Sequence, residues 1–473
     1  MRTDLLIGGE WISTPKRAPV LDKYSGATIV EFSVAAREHV VAAVAAAQKA
    51  FEQGPPVPYA RYEILSRGAD LLVARRGQFV DAMVRETGFT KSDAANECRR
   101  AEETLRLSAE EAKRITGEMV PISGAPGQER RLAFTLRVPL GVVCAITPFN
   151  SPLNTVMHKV APALAAGNAV VLKPAGYTPL CSALLCELLV EAGVPPGFIN
   201  LVNGPGGSLG EWLLAEPAVK FFTFTGSTAV GRWIQAAAGL RRTQMECGSI
   251  ACTIICADAD IERALPRLLA ATFRKAGQVC TSIQRLYVEN AIIDRFTARF
   301  VAAVEKDARL GDPAADGTFV GPLIDPREAD RVAEWISEAR DLGASILTGG
   351  QREGYALVRP TVLTGVSDKM RVFSSEAFGP LVCLVPFDKF EDAIRDINAT
   401  PYGLATGVFT NDLARAFQAA QRLDVGGIHI NETASSRVDL MPYGGMKDSG
   451  FGREGPRYAI REMTEEKIIT FSL

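Results

Sequence analysis

The chemistry of this sequence centres on one cysteine in a short glycine-led segment, Gly277-Gln278-Val279-Cys280. The segment follows a helical pattern from Ile261 to Lys275 and precedes an apolar run, Arg285 to Val288, that is typical of a strand. A cysteine on such a loop can expose its sulfur to a ligand, and its thiolate is a strong nucleophile when the surroundings lower its pKa or supply a base. Because most cysteines are buried structural residues, the rest of the chain must decide whether Cys280 is catalytic.

The composition excludes several classes of protein. A chain of 473 residues is too long for one small core, so we expect two or three domains. The net charge of -2 gives no signature of nucleic-acid or anionic-membrane binding, and no apolar run approaches the ~20 residues of a membrane-spanning helix. The segment Met1–Gly9 carries Asp4 and two glycines, unlike a signal peptide.

The cysteine and histidine contents favour neither a disulfide framework nor a metal site. Nine scattered cysteines without a CxxC pair favour reduced thiols in a cytoplasm over a disulfide framework or a zinc site. With three histidines in all, a histidine-rich metal centre is not expected either.

The elements that must position Cys280 follow from hydrophobic periodicity. Helical patterns cover residues 40–51, 61–75, 92–114, 292–306 and 327–341, and residues 129–138 alternate as a strand does, with Leu132, Phe134, Leu136 and Val138 on one face. From Gly141 onward, short apolar runs alternate with helical segments, as expected for strands buried in a parallel sheet. These runs are Val142–Ile146, Ala169–Leu172, Phe198–Val202 and Phe221–Phe224. The pattern predicts a doubly wound, Rossmann-like α/β domain, followed by a second α/β segment from about Ala251.

Turns suited to a dinucleotide follow each of those four runs. They are Pro148-Phe149-Asn150, Lys173-Pro174, Gly204-Pro205-Gly206-Gly207 and Thr225-Gly226-Ser227-Thr228-Ala229-Val230-Gly231. Ligands of such sheets bind beyond the carboxyl ends of the strands, and helix N-termini there bind phosphate. A single glycine turn has backbone explanations, but four in succession indicate a dinucleotide site.

Six motifs in one order make the chain similar to the NAD(P)-dependent aldehyde dehydrogenase superfamily over essentially its whole length. They are Pro148-Phe149-Asn150, Lys173-Pro174-Ala175, Phe224-Thr225-Gly226-Ser227, Glu246-Cys247-Gly248, Gly277-Gln278-Val279-Cys280 and Glu376-Ala377-Phe378-Gly379-Pro380. The resemblance implies an α/β fold with a Rossmann-like cofactor domain, an α/β catalytic domain and a small β oligomerisation arm. The implied ranges are 1–116 and 140–250 for the cofactor domain, 251–455 for the catalytic domain, and 117–139 and 456–473 for the arm.

The resemblance also assigns catalytic roles. It implies that Cys280 attacks the aldehyde carbon and that the Asn150 amide and the Cys280 backbone N–H stabilise the resulting oxyanion. Glu246 matches the general base that activates water to hydrolyse the thioester. Lys159 and Glu454 match a proton-relay pair, with a solvated surface pair as the alternative.

For the cofactor, NAD or NADP, the resemblance implies one extended binding surface. Lys173 and Glu376 match ribose contacts, Ser227 a pyrophosphate contact, and Phe378 the aromatic residue beside the nicotinamide. The full implied set is Ile146, Thr147, Pro148, Phe149, Lys173, Ala175, Gly176, Gly206, Phe224, Thr225, Gly226, Ser227, Cys247, Glu376 and Phe378.

Three departures from the family pattern affect function. Gly176 stands where a glutamate often favours NAD by repelling the 2′-phosphate of NADP, so we expect both cofactors to be used. Ser249 replaces a glycine beside Glu246. Phe149 replaces the commoner tryptophan, as in branches that resemble lactaldehyde and non-phosphorylating glyceraldehyde-phosphate enzymes.

The substrate tunnel predicted by loose alignment is polar. It contains Arg100, His158, Val279, Thr281 and Arg437, and its cationic members favour an aldehyde with an anionic or hydroxylated end. Surface positions for these residues are the alternative.

The expected protein is therefore a homodimer or homotetramer that oxidises a small polar or anionic aldehyde to its acid. Two other functions stay open: a coenzyme A-dependent acylating enzyme, which often lacks the glutamate at position 246, and a non-catalytic member of the fold.

Overall fold

The computed structural model describes residues 2–472, so the terminal residues of the predicted ranges 1–116 and 456–473, Met1 and Leu473, lie outside the described part. Fifteen α-helices occur within it. They are α1 Arg37–Glu52, α2 Pro58–Ala74, α3 Arg76–Thr87, α4 Lys91–Ala112, α5 Asn154–Ala166, α6 Pro179–Glu191, α7 Gly206–Ala215, α8 Thr228–Ala238, α9 Ile261–Phe273, α10 Ile293–Asp307, α11 Pro326–Asp341, α12 Arg371–Ser374, α13 Phe390–Asn398, α14 Leu413–Arg422 and α15 Pro456–Glu462.

The strands of the same residues number twenty-four. They are β1 Leu5–Ile7, β2 Glu10–Ile12, β3 Arg17–Leu21, β4 Thr28–Ser33, β5 Met119–Val120, β6 Arg131–Pro139, β7 Val142–Ile146, β8 Ala169–Lys173, β9 Ile199–Leu201, β10 Val219–Thr225, β11 Arg242–Glu246, β12 Ala251–Ile255, β13 Ile283–Glu289, β14 Ser345–Thr348, β15 Arg352–Glu353, β16 Leu357–Val358, β17 Thr361–Thr364, β18 Leu381–Phe387, β19 Tyr402–Gly403, β20 Ala405–Phe409, β21 Gly427–Ile430, β22 Met446–Lys447, β23 Gly450–Phe451 and β24 Thr464–Ser472.

The first large sheet is the one predicted from the four apolar runs. Its eight strands have the order β2-β1-β9-β8-β7-β10-β11-β23, and the five from β9 to β11 are parallel. All five residues of β7 are buried, as are those of β8, because helices cover both faces of such a sheet. The predicted α/β fold with a Rossmann-like first part is confirmed.

The second large sheet carries the element that follows Cys280. Its seven strands have the order β14-β17-β18-β13-β12-β20-β21, all parallel except β14. It has its own apolar core, which includes Phe296, Phe300 and Leu384. The strand β13 begins three residues after Cys280, so the loop that carries Cys280 lies at the edge of this second core.

A three-stranded sheet, β24-β6-β5, stands apart from the two large ones. Strands β24 and β6 pair antiparallel from Thr464↔Pro139 to Ser472↔Arg131. Apolar side chains on one face of this sheet are half exposed, with Leu132 at 41%, Leu136 at 43% and Phe471 at 48%. The alternating face predicted for residues 129–138 is therefore left uncovered by this chain.

The predicted helices occur with bounds shifted by a few residues, and α3 was not predicted because only Arg75 separates it from α2. The domain boundaries remain predictions. Ile460 and Met463, from the range assigned to the arm, pack into the first core, and the arm strand begins only at Thr464. Within residues 2–472, no helix combines the length and the apolar character needed to cross a membrane.

Candidate active site

One cleft of about 800 Å³ brings together most of the predicted site residues. It is lined by Cys280, Glu246 and Asn150, by every residue of the predicted cofactor set, and by four of the five predicted tunnel residues. The exception is His158, whose side chain is fully buried behind the cleft wall. Carboxyl ends of β7, β8 and β10 open into this cleft, as the turns after those strands predict.

The loop that presents Cys280 has an unusual backbone. A 3₁₀ turn, Arg274–Gly277, follows α9, and within it Lys275, Ala276 and Gly277 have φ values of 53°, 54° and 70°. A side chain at position 277 would place its Cβ 2.1 Å from the Gly379 carbonyl oxygen, so only glycine fits there. The turn aligns the following residues so that Cys280 is half-buried at the cleft wall.

Two buried contacts hold that loop against the turn after β7. The Lys275 ammonium donates to Glu97 Oε2 at 2.8 Å and to the Asn150 carbonyl oxygen at 2.9 Å. Asn150 Nδ2 in turn donates to the Gln278 carbonyl oxygen at 2.8 Å. One of the two Asn150 amide hydrogens is thereby committed to orienting the side chain, which leaves the other for a ligand.

Cys280 and Glu246 influence each other's protonation. Burial raises the pKa of the Cys280 thiol well above its usual value, and the neighbouring Glu246 carboxylate raises it further. Burial, followed by the charge of Glu454, raises the pKa of Glu246. Glu246 Oε1 is buried and lacks a hydrogen-bond partner among the described residues. An unpartnered buried carboxylate oxygen beside a thiol suits a group that accepts a proton from water or substrate.

Lys159 and Glu454 form a buried ion pair, which removes the surface alternative for them. The Lys159 ammonium lies 2.9 Å from Glu454 Oε1 and 3.1 Å from Thr223 Oγ1, and both charged side chains are at most 1% exposed. Arg437 donates to the other Glu454 oxygen at 2.9 Å. Burial would raise the pKa of Glu454, but Lys159 and Arg437 together hold it well below its usual range.

The cofactor half of the cleft has donors suited to a dinucleotide. Lys173 is 6% exposed, and within residues 2–472 no carboxylate or hydrogen-bond acceptor contacts its ammonium. Burial lowers the pKa of Lys173 to about 8. Such an ammonium needs acceptors of the kind that ribose hydroxyls and phosphates supply. Gly176 is open, since a Cβ there would meet only the Gly204 carbonyl oxygen at 3.8 Å.

Glu376 and the aromatic residues complete this half. The Ser249 N–H donates to Glu376 Oε1 at 2.9 Å, and burial raises the pKa of Glu376 to about 7. The Phe149 and Phe378 rings meet edge to face at 5.9 Å. Phe149 therefore packs against Phe378, the aromatic residue that matches the nicotinamide contact.

The opposite end of the cleft is cationic through a residue that the sequence analysis missed. Arg274 donates to Ser435 Oγ at 2.6 Å, and no carboxylate lies within 4 Å of it among the described residues. Burial lowers the pKa of Arg274; the charge of Asp93 opposes this effect, and repulsion from Arg100 adds to it. Thr281 Oγ1 lies 3.0 Å from Ser435 Oγ in the same region.

The predicted tunnel cations are neutralised, in contrast to Arg274. Arg100 forms a bidentate pair with the buried Asp439, at 2.7 and 3.2 Å. His158 Nε2 lies 2.7 Å from the same carboxylate, so His158 supports Asp439 from behind and does not line the tunnel. Its burial follows from its position on α5, all of whose residues are buried. Burial lowers the pKa of His158, and the charge of Arg437 lowers it further.

Metal and disulfide chemistry have no structural basis in residues 2–472. They contain no cluster of three or more histidine, cysteine or acidic side chains that could hold a metal ion, and all nine cysteines are free.

Known proteins similar to this chain are aldehyde dehydrogenases. The model of the aldehyde dehydrogenase family matches residues 11–469. A curated relative, the 3-sulfolactaldehyde dehydrogenase of Priestia megaterium, is 48% identical over 469 residues, covering 99% of this chain and 98% of that protein.

Solved structures with nearly the same fold include three with informative ligands. Aldehyde dehydrogenase 21 from Physcomitrella patens in complex with the reaction product succinate has a TM-score of 0.96 at 34% identity, covering 100% of this chain and 98% of that one. Glyceraldehyde-3-phosphate dehydrogenase GapN from Methanocaldococcus jannaschii, complexed with NADP, has a TM-score of 0.93 at 34% identity, with coverage of 97% and 100%. Betaine aldehyde dehydrogenase from Staphylococcus aureus, complexed with NAD+, has a TM-score of 0.95 at 30% identity, with coverage of 99% and 94%.

Proposed function

We propose that this chain, which belongs to the aldehyde dehydrogenase family, acts on small aldehydes that carry an anionic group. The reaction class follows from family membership: an NAD(P)-dependent oxidation of an aldehyde to its carboxylic acid. The observation that carries the substrate class is Arg274, a half-buried guanidinium with no carboxylate within 4 Å in the described structure. One relative is named as a dehydrogenase of 3-sulfolactaldehyde, an aldehyde with a sulfonate group, and a similar structure contains the reaction product succinate, a dicarboxylate.

The nucleophile in this proposal is Cys280. Its thiolate attacks the aldehyde carbon, a C–S bond forms, and the carbonyl π pair moves onto oxygen. The free Asn150 amide hydrogen and the Cys280 backbone N–H stabilise that oxyanion, and one such donor contributes about 10²–10³ in rate. The buried Lys275–Glu97 pair supports this step because it fixes both loops that supply the donors.

The base is Glu246. After oxidation the acyl group is a thioester of Cys280, and Glu246 removes a proton from the water that attacks it. Its raised pKa supports this role, since a carboxylate of higher pKa accepts a proton from water more readily. The Lys159–Glu454 pair lies behind Glu246, and the charge of Glu454 acts on it, as expected of a relay that returns the proton to solvent.

The cofactor binds along the other half of the cleft. The bound dinucleotide would supply the acceptor for the hydride that leaves the former aldehyde carbon. Lys173 and Glu376 would hold the ribose, Ser227 the pyrophosphate, and Phe378, with Phe149 behind it, the nicotinamide face.

The exposed arm supports assembly through copies of this chain. Leu132, Leu136 and Phe471 lie on one face of this sheet and are half exposed, and a contiguous apolar face of this kind marks a contact with another protein chain. We infer a homodimer or homotetramer in which a second copy covers this face. The nine free cysteines support a reducing compartment such as the cytoplasm.

The experiment is a panel of short aldehydes with sulfonate, carboxylate, phosphate, hydroxyl or no polar group, assayed with both cofactors. NAD(P)H formation and the acid product are measured with and without coenzyme A. We expect the anionic aldehydes to have the highest kcat/KM, free acid as product and no dependence on coenzyme A, with all turnover abolished in Cys280→Ala. A preference for neutral aldehydes would contradict the substrate class, and a coenzyme A requirement would favour the acylating alternative.

A further inference from the structure

Tyr443 lies beside Cys280 and has no part in the mechanism proposed above. Its backbone is fixed by a two-way bridge with Glu454: the Tyr443 N–H donates to the Glu454 carbonyl oxygen at 3.1 Å, and the Tyr443 carbonyl oxygen accepts from the Glu454 N–H at 2.7 Å. The side chain is 7% exposed. The ring therefore has little freedom to move away from its neighbours.

Cys280 contacts the hydroxyl of Tyr443, and Arg437 contacts its ring. The phenolic oxygen lies 3.1 Å from Cys280 Sγ. The ring faces the Arg437 guanidinium, whose carbon is 3.7 Å from the ring centroid. Arg437 is itself held by Glu454, at 2.9 Å. A cation at that distance attracts the ring face and fixes the plane in which the hydroxyl points to sulfur.

The direction of the hydrogen bond follows from the charges around it. Burial raises the pKa of Tyr443 well above its usual value, and the charges of Cys280 and Glu246 raise it further, so the phenol keeps its proton. When Cys280 is a thiolate it can only accept, and Tyr443 then donates.

We propose that Tyr443 is a catalytic residue, which donates a hydrogen bond to the Cys280 thiolate and thereby increases the fraction of reactive sulfur at neutral pH. The inference rests on the proposed role of Cys280 as the nucleophile. The other charged groups that act on this sulfur are Glu246, which opposes ionisation, and Arg437 and Arg274, which favour it. Tyr443 is the only neutral donor to the sulfur in residues 2–472.

Removal of the Tyr443 hydroxyl is expected to lower the reactivity of Cys280 modestly and to shift its pH dependence. Loss of one hydrogen bond to a charged group corresponds to a rise of about one pH unit in the thiol ionisation. The thiolate fraction below that pKa then falls about tenfold, while the remaining thiolate becomes roughly threefold more nucleophilic, because reactivity rises with pKa with a Brønsted coefficient of about 0.4–0.5. The net effect is a loss of about threefold at neutral pH, together with a shifted ionisation.

The test uses Tyr443→Phe, which keeps the ring on Arg437 and removes only the hydroxyl. The full-length enzyme without cofactor is reacted with 4,4′-dithiodipyridine from pH 6 to 10.5, and labelling of Cys280 is located by mass spectrometry. We expect the rate at pH 7 to fall about threefold and the inflection, or the rising limb below it, to move about one pH unit or less toward alkaline pH. Tyr458→Phe, which removes a hydroxyl elsewhere, serves as the matched control.

Two results would overturn the proposal: a Tyr443→Phe profile that overlays the wild-type one, or an equal fall at all pH values around an unmoved inflection. Unchanged nucleotide binding, measured by fluorescence, establishes that the variant is folded. Failure of the proposed function gives a different result. If Cys280 is not the nucleophile, Cys280→Ala retains aldehyde oxidation, and this outcome does not depend on how Tyr443→Phe changes the labelling.

Discussion

Arg274→Gln separates recognition of the anionic end from the chemistry at Cys280. The guanidinium is half-buried and donates to Ser435 Oγ at 2.6 Å. The charges of Asp93 and Glu97 act on it, but no carboxylate of the described chain lies within 4 Å of it. Arg100, by contrast, is already paired with Asp439 at 2.7 Å. A substrate anion is therefore expected to interact chiefly with Arg274, and glutamine at this position keeps a polar side chain near Ser435 but removes the charge.

The magnitude follows from the type of contact. A hydrogen bond to a charged group contributes about 1.5–3 kcal/mol, which corresponds to roughly 10- to 150-fold in kcat/KM. We expect a loss in that range for aldehydes with a carboxylate, sulfonate or phosphate, and a change of less than about threefold for a neutral aldehyde of equal length. Arg274→Lys should be intermediate, because lysine keeps the charge but not the planar fork of donors.

The assay is steady-state NAD(P)H formation with matched anionic and neutral substrates. Arg299→Gln, which removes an exposed charge paired with Glu262, serves as the control for a general electrostatic effect and should leave both substrates unchanged. The reasoning would be refuted if Arg274→Gln reduced kcat/KM equally for both kinds of aldehyde, or for neither.

Four further predictions follow from the same geometry. Glu246→Gln should release a single burst of NAD(P)H followed by slow turnover, because acylation does not need the base but hydrolysis does; stopped-flow absorbance checks this, and a missing burst would assign Glu246 to acylation. Gly176→Glu should change dual cofactor use, with kcat/KM for NADP and NAD within about tenfold of each other, into a strong NAD preference, because the open position accepts a carboxylate that repels the 2′-phosphate by ~1–3 kcal/mol; a thousandfold discrimination against NADP in the wild type would contradict this. Affinity for NADP should weaken as pH rises through about 8, because the buried Lys173 loses the charge that attracts phosphate, and titrations with Lys173→Met should lack this dependence. Deletion of the tail from Ile468 should give monomers or aggregates by light scattering, because the second half of the strand that pairs with β6 is removed; a wild-type monomer at micromolar concentration would exclude the assembly.

Much of the fold was predictable because its signals are local. Continuous apolar runs such as Val142–Ile146 occur as buried parallel strands, and the glycine and hydroxyl turns after them line one cleft. Both follow from the rule that strands covered on two faces are uniformly apolar and that their carboxyl ends share one edge of the sheet. Motif order then supplied candidates for the nucleophile, base and cofactor contacts.

The residues that escaped prediction depend on partners far along the chain. Tyr443 and Cys280 are 163 positions apart, and Lys275 and Glu97 are 178 positions apart, so no local pattern relates them. Arg100 and Arg437 were expected as free tunnel cations, but Asp439 and Glu454 neutralise them. The sequence shows which residues are charged, but only the structure shows which of them are paired. Among the described residues of this cleft, Arg274 is a cation without a carboxylate within 4 Å.

The loop that carries Cys280 has a backbone conformation that residues other than glycine rarely adopt. Two residues other than glycine, Lys275 and Ala276, have φ values of 53° and 54°, and each left-handed residue costs roughly 1–2 kcal/mol. The Lys275 ammonium, buried against Glu97, the Asn150 carbonyl and the face of Phe89 at 4.3 Å, opposes that cost, since breaking a buried ion pair by removing one partner costs about 3–5 kcal/mol. The interactions that hold the loop in this conformation are thus the same ones that tie Asn150 to it. A loop that relaxed to ordinary helical geometry would separate the sulfur of Cys280 from the amide proposed to receive the oxyanion, so the strain and the proposed chemistry have a common structural origin.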